Sequence, residues 1–312
     1  MVDLAVRIGD LALANPVMPA SGTFSPELAE VMDLNRLGAL VTKSITRDFR
    51  AGNPTPRVAE VEAGMLNSIG IPSKGLDGFL NETIPAYRRF SPPLVASISA
   101  ESPEAFADLC REVSVSDIDA IEVNISCPNL EADGKAFATH AGLTAEVMRH
   151  LRAATAKPLW AKLSPNVGDI AGIARAAEEA GADALVVANT LLAMSIDTDT
   201  LRPTLGSITG GLSGPAVKPV ILRMVYQCAK AVSIPVIGCG GISTAHDAIE
   251  YMAAGAAAVQ VGTQTFRHPG VMGGIIDGIG DWCQAHGFAR VADLTGAVRD
   301  DDMNIDRYEA AR

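Results

Sequence analysis

The residues best equipped for chemistry stand together at Asn124-Ile125-Ser126-Cys127-Pro128-Asn129, directly after the apolar run Ala120-Ile121-Glu122-Val123. One thiol, one hydroxyl and two carboxamides at a strand end offer a proton acceptor beside groups that can hold a flat polar ring. That is the first requirement for proton abstraction. A free cysteine is more often a small buried hydrophobe. The Ser-Cys-Pro context on a loop favours chemistry for Cys127 instead, and a thiol pKa of about 8.5 suits a base at neutral to alkaline pH.

Two lysines, Lys43 and Lys162, each end an apolar strand, where an unpaired ammonium is expensive, so each calls for an anionic or acceptor partner. The run Met65-Leu66-Asn67-Ser68-Ile69-Gly70 lies in a long connection, and Asn189-Thr190 ends another strand. With Asn124 and Asn129 this gives four carboxamides, which match a ring of alternating N–H and C=O groups; any one alone is usually a turn former. Glycine loops, Gly238-Cys239-Gly240-Gly241-Ile242 and Val261-Gly262-Thr263, follow the last two strands. Barrels bind phosphate at those two loops, the plainer alternative being a pair of tight turns. Cys239, between glycines, reads as a packing residue, and the five histidines offer no paired base.

Short β-rich runs alternate with stretches of helical periodicity almost from end to end, which predicts a parallel sheet with crossover helices. The strand candidates are Pro16–Ala20, Ala39–Lys43, Leu94–Ile98, Ala120–Asn124, Leu159–Leu163, Ala184–Asn189, Pro235–Gly238 and Ala258–Gly262. Eight units favour a closed (β/α)8 barrel over an open doubly wound sheet. The spacings Ile170, Ile173, Ala174, Ala177 and Val220, Ile221, Met224, Val225, Cys228 predict buried helix faces. Pro103, Pro215 and Pro269 stand where helices can begin. A barrel gathers Ser21, Lys43, Ser97, Asn124, Lys162, Asn189, Gly240 and Thr263 at the C-terminal ends of its strands. Three long connections there, 44–74, 125–143 and 190–213, read as the walls and lid of a pocket.

Composition agrees with this. The 312 residues are 48% hydrophobic with 29 glycines and only 4% aromatic, suited to close packing of helices on a sheet by small aliphatic side chains. Barrels commonly reach this length as one domain, so a single domain over residues 1–312 is expected. A net charge of -11 argues against a nucleic-acid binder. Five cysteines without a CxxC pair indicate neither a disulfide framework nor a metal or iron-sulfur site, and fit a reducing cytoplasm. No signal peptide or membrane span is evident.

The sequence resembles the class 1 dihydroorotate dehydrogenases from about Pro16 to Arg267. The likeness rests on Asn67-Ser68-Ile69-Gly70, Asn124 to Asn129, Lys162-Leu163-Ser164-Pro165-Asn166, Gly210-Gly211-Leu212-Ser213-Gly214-Pro215 and Gly240-Gly241. The resemblance implies FMN held by Ser21, Lys43, Ser44, Asn124, Lys162 and Ala188, with its phosphate near Gly214, Gly240, Gly241, Gly262 and Thr263. It implies dihydroorotate contacted by Lys43, Asn67, Ser68, Ile69, Gly70, Ile71, Asn124, Asn129, Asn189 and Thr190, with Cys127 as the base and no metal. Lys162 would stabilise negative charge on the reduced flavin.

Cysteine as the base, with no N-terminal membrane-associating extension, looks like class 1 rather than the quinone-linked class 2, and the stretches 210–216 and 262–266 look like class 1B, whose catalytic subunit passes electrons to NAD through a second subunit carrying FAD and [2Fe-2S]. A heterotetramer of two catalytic and two electron-transfer subunits is implied. Ser97 departs from the pattern, since many relatives carry Asn beside the flavin. The alternatives are a fumarate-linked class 1A enzyme or another flavin barrel acting on a dihydropyrimidine. A phosphate-binding barrel lyase or isomerase would keep the glycine loops without a flavin, and a non-catalytic binding subunit would need neither thiol nor lysines.

Overall fold

The structure is a computed structural model that describes residues 2–126 and 137–299. Its centre is an eight-stranded parallel sheet: β1 (Val17–Pro19), β2 (Leu40–Val41), β3 (Leu94–Ile98), β4 (Ala120–Asn124), β5 (Leu159–Lys162), β6 (Ala184–Val187), β7 (Val236–Cys239) and β8 (Ala256–Val261). The spatial order is β1-β8-β7-β6-β5-β4-β3-β2. The two ends of the sheet meet where the Gly38 N–H donates to the Val17 carbonyl at 2.8 Å, which brings the ring round to a (β/α)8 barrel. Gly38 is required at that seam, because a Cβ there would lie 2.1 Å from the Asn15 carbonyl oxygen. Every residue of β3, β4, β5 and β6 is buried, as strands covered on both faces must be.

The helices form where the periodicity predicts them. Pro103 opens Pro103–Ser114, capped by Ser102, and Asp169 caps Ile170–Glu179. Thr244 and Asp247 form a reciprocal capping box on Ala245–Ala253. Pro215 opens a 3-10 turn that leads into Lys218–Ala231, and Pro269 precedes Val271–Ala285. Ile221, Met224, Val225 and Cys228 face the core, but Val220 is 37% exposed and lies off that stripe, contrary to expectation.

Two other expectations need correction. The first crossover, between β1 and β2, is made of the 3-10 turns Pro26–Glu30 and Leu34–Arg36 rather than a helix. Several strands also start or stop a residue or two from the expected bounds; β8 begins at Ala256, and β6 ends at Val187. An antiparallel hairpin, Val6–Ile8 with Leu11–Leu13, brings Gly9 beside Asp183 at the start of β6. It therefore covers the end of the barrel opposite the C-terminal strand ends.

Candidate active site

The alternation of a strand decides what reaches the barrel interior. On β4, Glu122 contacts Gln260 of β8 and Lys162 of β5, and β4 and β8 are not neighbours in the sheet. The contact must cross the interior, so Glu122 and Asn124, two residues apart, point inward while Ile121 and Val123 face the surrounding helices.

From Glu122 a continuous hydrogen-bonded chain runs across the strand ends. Glu122 accepts from Ser97 Oγ at 3.3 Å, and Ser97 and Ser44 hydroxyls meet at 2.7 Å. Asn124 Nδ2 donates to Ser44 Oγ at 3.2 Å, and Ser126 Oγ donates to Asn124 Oδ1 at 2.9 Å. Asn189 Nδ2 donates to Ser126 Oγ at 2.8 Å. A satisfied buried network of this kind fixes its members' rotamers and so orients the outermost carboxamides. Ser97 belongs to this support and has no exposed surface, so it stands behind the cavity rather than on it.

The two lysines differ in their surroundings. Lys162 Nζ lies 3.2 Å from Ser21 Oγ, 3.3 Å from Gln260 Oε1 and 3.5 Å from Glu122 Oε1. Burial works to lower its pKa, but the acidic groups beside it, Glu122 foremost and then Cys239, together hold it above the ordinary lysine value. Lys43 has no charged or hydrogen-bonding neighbour acting on it among the described residues, and burial alone pulls its pKa down. An ammonium held in this way presents an unmet demand for an anion.

The connections expected to be irregular walls contain strands. Leu191–Ala193, Gly210–Ser213, Gly64–Asn67 and Val58–Val61 form a four-stranded antiparallel sheet over the barrel mouth. Asn67 is held there by its Nδ2 donating to the Gly211 carbonyl at 3.2 Å. Ser68 Oγ accepts from Asn53 Nδ2 at 2.8 Å, and the Asn53 N–H donates to the Ile69 carbonyl. Asn166 Nδ2 donates to the Thr190 carbonyl at 3.1 Å, tying the end of β6 to the loop after β5.

The glycine loops are shaped to bring backbone close to a ligand. Gly241 has φ +70, and a Cβ there would lie 2.8 Å from both the Gly214 carbonyl oxygen and Lys218 Cβ. Tyr251 Oη donates to the Gly240 carbonyl at 2.6 Å, which turns that oxygen away and leaves the Gly241 N–H pointing the opposite way across the trans peptide. Asp247 already accepts from the Ser243 and Thr244 N–H groups, so the following helix end is occupied by a carboxylate of the chain itself. Lys218 is likewise paired, with Asp247 at 2.7 Å and Glu250 at 3.1 Å. An anion here would therefore meet the glycine amides rather than the helix end. Ser243 Oγ is buried with no partner among the described residues, a hydroxyl with unused capacity beside this loop.

The two strand-end lysines, the carboxamides and the glycine loops open on one cavity of about 750 Å³. Its lining includes Ser21, Lys43, Ser44, Asn124, Lys162 and Ala188, the glycines Gly214, Gly240, Gly241 and Gly262, and Thr263. It also includes Asn67, Ser68, Ile69, Gly70, Ile71, Asn189 and Thr190. Cys127 and Asn129 lie outside the described residues. Cys239 lines the same cavity yet is only 8% exposed, and burial pushes its thiol pKa up, as a packing role requires. Glu122 and Gln260, behind the cavity, were not among the sequence candidates. Period two along β4 was the available signal, since it puts Glu122 on the same face as Asn124. Among the described residues, no cluster of His, Cys, Asp or Glu could hold a metal, and no helix is long and apolar enough to cross a membrane.

The comparisons with known proteins agree on one family. A family model described as dihydroorotate dehydrogenase matches residues 3–282. The "Dihydroorotate dehydrogenase B (NAD(+)), catalytic subunit" of Trichlorobacter lovleyi is 48% identical over 298 residues, which cover 95% of this chain and 98% of the relative. The proteins of the same name from Pelobacter propionicus and Bacteroides thetaiotaomicron are each 46% identical, over 95% and 96% of this chain and 98% and 99% of theirs. With a matching barrel and the polar groups gathered at its C-terminal strand ends, the chain belongs to the dihydroorotate dehydrogenase family.

Proposed function

We propose that this chain is the catalytic subunit of an NAD-linked dihydroorotate dehydrogenase, oxidising dihydroorotate to orotate in pyrimidine biosynthesis. The observation that carries this reading is the cavity on which Lys43, without a partner among the described residues, the oriented carboxamides and the glycine loops converge. Its volume lies within the range of cofactor and substrate pockets. A barrel lyase or isomerase would use the glycine loops but leaves unexplained the ring of carboxamides.

The residues present fit FMN. Amides at Gly240 and Gly241, with Gly214, Gly262 and Thr263, suit its phosphate, and Ser21, Lys43, Ser44, Asn124, Lys162 and Ala188 suit the remainder. Bound there, FMN supplies the two-electron acceptor for the hydride that leaves the substrate. Lys43 offers the charge for the dihydroorotate carboxylate, and Asn67 to Ile71, Asn124, Asn129, Asn189 and Thr190 fix the ring. Cys127 takes the proton from substrate C5. The mouth sheet excludes water above the ring, and Lys162 contributes positive charge at the cavity floor.

The onward path to NAD lies on a partner. The chain shows no GxGxxG fingerprint opening a helix and no cysteine spacing for an iron-sulfur cluster. A second subunit carrying FAD and [2Fe-2S] supplies the relay, in a heterotetramer of two catalytic and two electron-transfer subunits in the cytoplasm. The 190–213 connection exposes Leu192, Met194, Ile196, Leu201 and Ile208, apolar surface of the kind a partner covers. The test is NAD reduction by the purified chain, before and after the electron-transfer subunit is added. Activity only after addition is expected; full NAD activity from the isolated chain refutes the division of labour.

A further inference from the structure

The buried polar groups to which the proposed chemistry assigns no part converge on Glu122. This carboxylate has no exposed surface and sits inside the barrel, behind the cavity. It accepts from Gln260 Nε2 at 2.7 Å, from Ser97 Oγ at 3.3 Å and from Lys162 Nζ at 3.5 Å. Gln260 closes a clamp, because its amide donates to Glu122 while its oxygen accepts from Lys162 at 3.3 Å. Lys162 is the only cation in hydrogen-bonding contact with Glu122 among the described residues.

The three Lys162 contacts, at 3.2 to 3.5 Å, are longer than the roughly 2.7 to 2.9 Å of a tight charge-assisted bond. The ammonium is centred among its neighbours rather than drawn fully onto one of them, which leaves it able to donate to an acceptor in the cavity. A carboxylate buried this deeply must be compensated. Here the compensating charge is Lys162, which itself lines the cavity, and the clamp fixes where it stands.

We propose that Glu122 is a positioning residue for Lys162: through the Gln260 clamp it holds the ammonium at the cavity floor and sets the net charge there. The proposal rests on the reading of this cavity as a flavin site. Glu122 makes no contact with the cavity itself and acts only through Lys162 and the Ser97 chain.

Replacing Glu122 by Gln keeps the shape and removes the charge. While Lys162 stays protonated, the site then carries one more unit of positive charge, which favours a flavin that has gained electrons. The groups facing Lys162 are Glu122, the neutral Ser21 and Gln260, and the Cys239 thiol; with the carboxylate gone, the foremost group opposing burial is lost and the ammonium gives up its proton at lower pH. The gain in positive charge is thus present on the acid side and lost as pH rises.

The experiment measures the midpoint potential of bound FMN against pH in the parent, Glu122→Gln and Glu122→Asp, together with the FMN dissociation constant of each. For Glu122→Gln the expected result is a more positive potential than the parent at low pH, falling back toward it through an extra step that the parent lacks. Glu122→Asp keeps the charge but draws it back by one methylene, and gives a smaller step in the same direction. It carries the test should the Gln variant fail to fold. Superimposable profiles in the folded variants overturn the proposal, because a space-filling role leaves the potential unmoved. A parent that takes up no FMN overturns the proposal together with the flavin reading beneath it, so the two failures are distinguishable.

Discussion

At the scale of single residues, the account depends on which groups are satisfied by the protein and which await a ligand. Cys127→Ala should retain FMN and lose about 10²- to 10⁴-fold in turnover, the usual share of a positioned base, read from steady-state rates and the flavin spectrum. Parent-level turnover would remove Cys127 from the mechanism. Lys43 makes a contrasting prediction. Its folded pKa is lowered by burial, so the unliganded fold carries a penalty that is full below that lowered value and relieved as pH rises through it. Lys43→Met should therefore stabilise the unliganded chain by ~1 kcal/mol in calorimetry while weakening orotate binding. An anionic ligand needs the protonated lysine, so orotate affinity in the parent should fall as pH rises through the same value. A flat affinity across that range would argue that the carboxylate sits elsewhere. The sequence made the unmet needs of both lysines legible, but not how they were met. Glu122 belongs to an apolar strand, and only pairing across the barrel reveals it as the counter-charge of Lys162.

At the scale of elements, the strand ends were legible because parallel strands covered on both faces read as short continuous apolar runs, and the polar residue that follows each run marks the working end. Leu94–Ile98 and Ala120–Asn124 stand as expected. The mouth sheet was not legible. Its strands are short, and the polar and glycine residues of Gly64–Asn67 and Gly210–Ser213 resemble loop composition, since pairing between distant segments rather than local pattern makes them strands. The first crossover was misread for a related reason, Pro26–Glu30 and Leu34–Arg36 being too short to complete a helical stripe. The glycine loop yields a prediction at this scale. Gly241→Ala demands a left-handed backbone and meets the Gly214 oxygen at 2.8 Å, so FMN affinity should fall at least about tenfold. Riboflavin, which lacks the phosphate, should lose less in the same fluorescence titration; equal losses would show that the loop does not serve the phosphate.

At the scale of the whole molecule, a closed barrel carries the site at one end and covers the other with its N-terminal hairpin, so a ligand enters by the mouth. The net charge of -11 leaves the buried lysines as local positive points in an acidic protein, which favours a small anion inside the cavity over a polyanion on the surface. The exposed apolar side chains of 190–213 predict that the electron-transfer subunit protects this segment from hydrogen exchange; unchanged exchange in the complex would place the interface elsewhere. The central claim is that this cavity binds FMN and passes electrons to it from dihydroorotate, and an anaerobic single turnover tests it most directly. When the FMN-loaded chain is mixed with dihydroorotate in the absence of any acceptor, the flavin absorbance should bleach, with one orotate formed per flavin reduced. A flavin that stays oxidised in the presence of saturating dihydroorotate would contradict the account.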